Sequence, residues 1–156
     1  MSPINALNQE KHQLNGFMNN IGGRLTKWEP DHAVIELDVA ELHRNGIGVV
    51  HGGVMASLID TVGARAGVFC SVAGNIRQAM TISMNVNLVG NIKEGALIAE
   101  ARVRKAGKTI FVSSCDVHDQ DGNLLATGEV VGRYGRGSHL PQGIPAPESS
   151  PSGKQS

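Results

Sequence analysis

Cysteine is nearly missing from this sequence, which carries only Cys70 and Cys115. Two thiols are too few for a disulfide framework or a cysteine metal site, and each reads as a small buried hydrophobe rather than a nucleophile. Aromatic residues are scarce as well, at 3% of the chain, so no stacking platform favours flat ligands. An excess of one charge is also lacking. Lys and Arg number 14 against 14 Asp and Glu, which argues against nucleic acid, an anionic membrane surface or a strongly charged macromolecular partner. No stretch approaches the roughly 18 apolar residues of a membrane span. The opening MSPINALNQEKHQLNGF lacks the basic segment and apolar run of a secretory signal. These absences predict a soluble, cytoplasmic protein. His43 and His51 have no second histidine or cysteine at a ligand spacing, which predicts no metal site. The glycines of HGGV carry neither the lysine of a phosphate-binding loop nor the spacing of a dinucleotide fingerprint.

What is present has the organisation of one main domain. A chain of 156 residues fits a single fold unit that gains further burial by pairing with copies of itself. Ile4, Leu7, Leu14, Phe17, Met18 and Ile21 recur at helical spacing behind Ser2 and Pro3, predicting an amphipathic helix from about Pro3 to Met18 that Gly22-Gly23 ends. Two strands, Arg24 to Glu29 and Ala33 to Val39, flank a Pro30-Asp31 turn. Apolar Val34 and Leu37 mark the second. From Met80 the period becomes two, with Ile82, Met84, Val86 and Leu88 facing one way and Thr81, Ser83, Asn85 and Asn87 the other. Ala96 to Lys105 and Thr109 to Gln120 are two more strands, joined by a turn at Ala106-Gly107, and Asp121-Gly122-Asn123 turns into a last strand, Leu124 to Tyr134. The remainder holds four of the six prolines with little to pack. The predicted division is an N-terminal helix at 1–21, a domain at 22–135 and a disordered tail at 136–156.

The informative segment is HGGVMASLIDTVGARAGVFCSV, His51 to Val72, which reads as a helix. At 100° per residue, Val54, Leu58, Val62 and Phe69 share one side, while Gly53, Ala56, Ser57, Asp60, Gly63, Ala64 and Gly67 share the other. A face of small residues around one carboxylate is unlike a solvated surface. Glycine inside a helix costs about 1 kcal/mol relative to alanine, so the stripe calls for a close approach by another backbone or a ligand. The bulky side then packs on the chain's own sheet. Arg65 lies well around the helix from Asp60, leaving the carboxylate with no cation at helical reach.

The run Asn45-Gly-Ile-Gly-Val-Val-His51-Gly52-Gly53, followed by Asp60, resembles the hotdog-fold thioesterases of the phenylacetate-pathway and thioesterase superfamily member 2 type. The likeness extends through TISMNVNLVG and GNLLATGEVVGRY, from about Gly22 to Tyr134. It implies an α+β hotdog fold, a curved antiparallel sheet wrapped around the long helix. It also implies a homodimer or homotetramer whose active site lies between subunits, and an acyl-CoA substrate whose coenzyme is part of that substrate, with no separate cofactor. By position, Asp60 would be the general base or the nucleophile. Asn45 and His51 of the neighbouring subunit would orient the reactants, and the Gly52 N–H would bind the thioester oxygen. Thr81, or Ser83 if the register shifts, would hold the attacking water. Thioester hydrolysis needs an activated water and a stabilised oxyanion, and the thiolate then leaves with little help. A helix start offers unpaired N–H groups for that oxyanion.

Arg102, Arg104, Lys105 and Lys108 form the strongest basic cluster, and relatives of this type imply a role in holding the phosphates of coenzyme A. The same charges would equally suit a solvated edge strand guarded against aggregation. A hydratase on the same fold would want a histidine a few residues from the aspartate, and none follows Asp60 before His118. The alternative is a non-catalytic acyl-CoA binding protein. Met55, Ile59 and Met84 are expected to line the acyl pocket.

Overall fold

The computed structural model describes residues 14–148. Asp31, with φ of 60°, takes the left-handed conformation that aspartate tolerates better than most residues. It thereby reverses the chain between strand β1 (Arg24–Glu29) and strand β2 (His32–Asp38). After the long helix come β3 (Asn75–Ile76), β4 (Ala79–Leu88), β5 (Ala96–Ala106), β6 (Ile110–Asp119), β7 (Leu124–Tyr134) and β8 (Ile144–Pro145). Six of these form one sheet in the order β1-β2-β5-β6-β7-β4, every pair antiparallel. The fold is the expected α+β hotdog arrangement of one long helix against a curved sheet. In β2 the residues turned fully inward are Ala33, Ile35 and Leu37, so Val34 is not part of the inward row.

The helices are α1 (Gly16–Asn20) and α2 (Gly52–Gly67). In α2 the buried residues are Met55, Leu58, Ile59, Val62, Gly63, Ala66 and Gly67, a face that joins the core formed by Ile35, Leu37, Leu97, Val117 and Val130. Phe69 lies past the helix end and so does not extend the bulky row. The small residues divide differently from expectation. A Cβ on Gly63 would come within 2.6 Å of Val130 and 2.9 Å of Cys115 Sγ, and one on Gly67 would overlap the Phe111 ring. These two glycines seat the helix on its own sheet. Ala56, Ser57, Asp60 and Ala64 are left half-buried on the side turned toward β4.

Both ends of the chain depart from the predicted division. Of the predicted helix over 3–18, residues 3–13 lie outside the described residues, Asn15 is extended, and the helical turns begin only at Gly16. Leu14 and Met18 belong to the main core, so this segment is no separate unit. The predicted disordered tail is, through residue 148, packed structure. Ile144 and Pro145 pair with Ile76 and Asn75, and the Arg77 guanidinium donates to the carbonyls of Phe69, Ser138 and His139 at 2.9, 2.8 and 3.4 Å. A backbone clamp of this kind is invisible to composition. Residues 149–156 lie outside the described residues. Among the described residues, no helix is long and apolar enough to cross a membrane.

Buried His32 sits between two carboxylates, its Nδ1 2.8 Å from Glu29 and its Nε2 2.7 Å from Glu100. The hydrogen bond with His32, then that with Lys27, holds Glu29 below the usual 4.5. Partial burial pushes Glu100 up, but His32 and Arg102 together outweigh it and leave the group lowered. A carboxylate with a lowered folded-state pKa binds its proton less readily than in the unfolded chain, so its stabilisation is present above the unfolded value and is lost as pH falls through the folded one. The urea midpoint is therefore expected to drop as pH is lowered from about 4.5 toward 3, and to drop less in Glu100→Gln. An unaltered acid slope in that variant would contradict the assignment.

Candidate active site

Asp60 occupies the ninth position of α2 and points at the start of β4, where the Thr81 hydroxyl donates to its Oδ1 at 2.6 Å. Strict alternation would put Thr81 and Ser83 on one face, away from Met84, Val86 and Leu88. A register shift between Thr81 and Ser83 breaks that parity. Thr81 pairs with Gly132 and Ser83 with Val131, and Gly132 faces the helix side because a Cβ there would overlap Phe111. The bulge therefore turns Thr81 inward and Ser83 outward. Bulges re-aim single side chains in this way. Of the two hydroxyls, the one that reaches Asp60 is Thr81.

The other expected groups gather at the opposite end of the helix. His51 is the N-cap, its Nδ1 accepting from the Gly53 N–H at 2.8 Å. That leaves the Gly52 N–H, which makes no hydrogen bond among the described residues. The Asn45 Oδ1 accepts from the Ile47 and Val49 N–H groups at 3.1 and 3.3 Å, shaping the loop that leads to His51. Leu88 packs on Gly52, with its Cδ1 2.6 Å from where a Cβ would stand. Eight residues at 1.5 Å each separate Gly52 from Asp60 by about 12 Å along the axis. Within one chain the carboxylate and the free amide cannot touch the same small group.

Asp60 and Thr81 open into a cleft of about 1050 Å³ lined also by Ala64, Arg65, Arg77, Met80 and Arg133. Arg65 lines the cleft, but its guanidinium is stacked 5.4 Å over Trp28, its pKa is lowered by burial, and among the described residues it makes no ion pair with Asp60. Arg77 and Arg133 were not legible as lining residues, since Arg77 is placed by the carbonyls of Phe69, Ser138 and His139 and Arg133, across from Met80, by the β4–β7 pairing. Met55 and Ile59 belong to the sealed core and do not line this cleft, nor does Met84. Arg102, Arg104, Lys105 and Lys108 are exposed outside it, Arg102 bonded to Glu100 at 2.9 Å. β5 pairs with β2 only from Ala96 to Arg102, so Arg104 and Lys105 stand on a part of β5 that extends past β2, as the edge reading expects. Cys115 is buried, and its thiol is pushed up to about 12, first by that burial and then by Asp116, Glu129 and Asp60. A thiol of that kind is inert.

Comparison with known proteins agrees with this geometry. Residues 47–126 match the model of the thioesterase superfamily, a span that runs from the Asn45–His51 loop through most of the sheet. Acyl-coenzyme A thioesterase 13 of Homo sapiens is 30% identical over 112 residues, 71% of this chain and 74% of that protein. Among solved structures, a conserved protein from Pseudomonas aeruginosa superposes with a TM-score of 0.72 at 26% identity, over 81% of this chain and 98% of its own. The zebra fish thioesterase superfamily member 2 gives 0.67 at 24% identity, over 85% and 93%, a likeness of fold.

Proposed function

We propose, from the premise that this chain belongs to the thioesterase superfamily and is a thioester hydrolase, that it cleaves acyl-CoA to a free acid and coenzyme A at a site two copies build together. The observation that carries this reading is the Asp60–Thr81 pair, one hydrogen bond of 2.6 Å at the mouth of a cleft. Asp60 acts as general base. Thr81, donating its hydrogen bond to Asp60, keeps lone pairs that accept from the attacking water and hold it against the carboxylate. Water adds to the thioester carbon as Asp60 takes its proton. The carbonyl electron pair moves onto oxygen, and the N–H of Gly52 donates a hydrogen bond to the oxyanion that results. Collapse of the adduct expels the thiolate, which takes from Asp60 the proton abstracted from water, so that coenzyme A leaves as the thiol and the carboxylate is restored.

That Gly52 belongs to the second copy. Strand β4 is a sheet edge of ten residues without a single charge, and it exposes Met80, Ile82, Met84 and Leu88 at 76, 56, 44 and 55%. An uncharged apolar edge of that length is an aggregation hazard unless something pairs with it. A second β4, antiparallel about a two-fold axis between Met84 and Asn85, covers it and lays Leu88 of one copy beside Thr81 of the other. Leu88 rests on Gly52, so this pairing carries each Gly52 amide toward the other copy's Asp60. His51 and Asn45 arrive with it and orient the reactants. The phosphates of coenzyme A fall to Arg102, Arg104, Lys105 and Lys108. Lys105 stands in register, through Val112 and Val131, with Ser83, three strand spacings or about 14 Å across the sheet. The extended pantetheine arm, as long as four or five residues, spans a similar ~15 Å.

Thiol release from a panel of short, medium, long and aryl acyl-CoAs tests the reading. Asp60→Asn is expected to lose at least about a hundredfold in kcat with its fold intact; turnover equal to the parent enzyme would end it. Thr81→Val should lower kcat on the order of tenfold to a hundredfold, the worth of a hydrogen bond to a charged group. Ser83→Ala should change it less than about threefold, and the reverse order would contradict the role given to the bulge.

A further inference from the structure

Two hydrogen bonds tie α2 and the residues just after it to the segment that leads into β4, one at each end of the cleft. At its mouth the Thr81 hydroxyl donates to Asp60 at 2.6 Å, and at its far end the Arg77 guanidinium donates to the Phe69 carbonyl at 2.9 Å. Seven residues of helix from Asp60 to Gly67 rise about 10.5 Å, and the four from Thr81 back to Arg77 reach at most about 14 Å. The ties therefore bound a slot of similar length on both sides. Between them, Ala64 and Val68 stand one and two turns on from Asp60, and Ala79 two residues before Thr81, all three lining the cleft. Tyr134, the strand partner of Ala79, is buried against Val68 and Phe111. The arginines of the lining are engaged or turned away. Arg77 is bound to three carbonyls and lies 5.3 Å over Tyr134, Arg65 lies over Trp28, and Arg133, across from Met80 and next to inward-facing Gly132, points to the outer face of the sheet. Among the described residues no buried side-chain nitrogen or oxygen lacks a hydrogen bond, so nothing sealed in these walls calls for a polar ligand.

We infer that the acyl group lies in this slot, its carbonyl held at Asp60 and its methyl end against the Arg77 clamp, so that the preferred substrate is the CoA thioester of a straight-chain fatty acid of medium length, about eight to ten carbons. A hydrocarbon chain advances about 1.1–1.2 Å per bond, a third of the reach of one extended residue, and eight to ten carbons then span roughly 8–11 Å. That is the length of the slot less the contact distance at the clamp. Ala64 sets the width. It is half-buried and stands about 6 Å along the axis from Asp60, beside the middle of such a chain, where a larger side chain would fill the slot. Arg77 sets the length, because its other two bonds, to Ser138 and His139, fasten the 135–148 segment behind it. A longer chain has to displace that clamp. Each methylene that leaves water for the slot is bound up to about fourfold more tightly.

This inference rests on the thioesterase reading, and one substrate series separates the two. With acetyl-, butyryl-, hexanoyl-, octanoyl-, decanoyl-, lauroyl- and palmitoyl-CoA, each below its micelle concentration, kcat/KM is expected to climb about two- to fourfold per added carbon up to octanoyl or decanoyl and to fall at least about tenfold by palmitoyl. Ala64→Leu, at a helix position that leucine suits, should cut the octanoyl-to-acetyl ratio of kcat/KM on the order of tenfold to a hundredfold and move the optimum to shorter chains. Ala64→Val should act in the same direction and less. Should Ala64→Leu fail to fold, the parent profile and Ala64→Val decide. A profile that is flat or still rising at palmitoyl, or faster cleavage of phenylacetyl-CoA than of octanoyl-CoA, would overturn the inference and leave the thioesterase reading standing. Equal losses on acetyl- and octanoyl-CoA in Ala64→Leu would place Ala64 at the reacting carbon instead of along the chain and also overturn it. Absence of turnover with every thioester would overturn the reading beneath both.

Discussion

A helix that rises 1.5 Å per residue cannot bring its own first amide to its ninth side chain. Here those two groups are Gly52, whose N–H is unbonded among the described residues, and Asp60, which Thr81 holds. Everything proposed about activity follows from closing the gap between them with a second copy. The exposed, uncharged β4 edge, the contact of Leu88 with Gly52 and the inward turn of Thr81 all bear on that one closure. A monomer would keep each part and join none of them.

The packing that fixes Asp60 is equally specific. Gly63 and Gly67 let α2 settle onto Val130, Cys115 and Phe111, and Phe111 also fills the space over Gly132, the partner of Thr81. One ring thus meets both the helix carrying the carboxylate and the strand row carrying the hydroxyl. Rigid elements hold site geometry more tightly than loops do. The sheet interior is correspondingly full, with Ile35, Leu37, Leu58, Ile59, Leu97 and Val117 all sealed from solvent.

Much of this was legible beforehand, for physical reasons. Strand and helix periods are local properties, so β1, β2, the four long strands β4 to β7 and the turn at Asp121–Asn123 could be read from the chain. Asp60 stood out because a lone carboxylate among small residues has no packing purpose. Less could be read where the cause is distant. The Thr81 bulge depends on pairing with β7, and Arg77 and Arg133 come to line the cleft only when distant carbonyls and the sheet place them. The 135–148 segment is kept in place by a guanidinium from residue 77, and proline content alone suggested disorder there. The glycine stripe was assigned to a partner or ligand, yet half its work is against the chain's own sheet, since periodicity ranks faces by size and cannot say what meets them.

The shared site can be tested by mixing lesions. Gly52→Pro removes the free N–H at a first helical position that proline accepts, behind a His51 already extended at φ −64° and ψ 134°; the ring displaces only the end of Leu88. Gly52→Pro and Asp60→Asn should each be inactive alone. Denatured together and refolded, they should recover about a quarter of the parent activity, because half of the dimers are mixed and each mixed dimer has one intact site of two. A refolded mixture as inactive as its components, with mixed dimers demonstrated by mass, would contradict a site built from two copies.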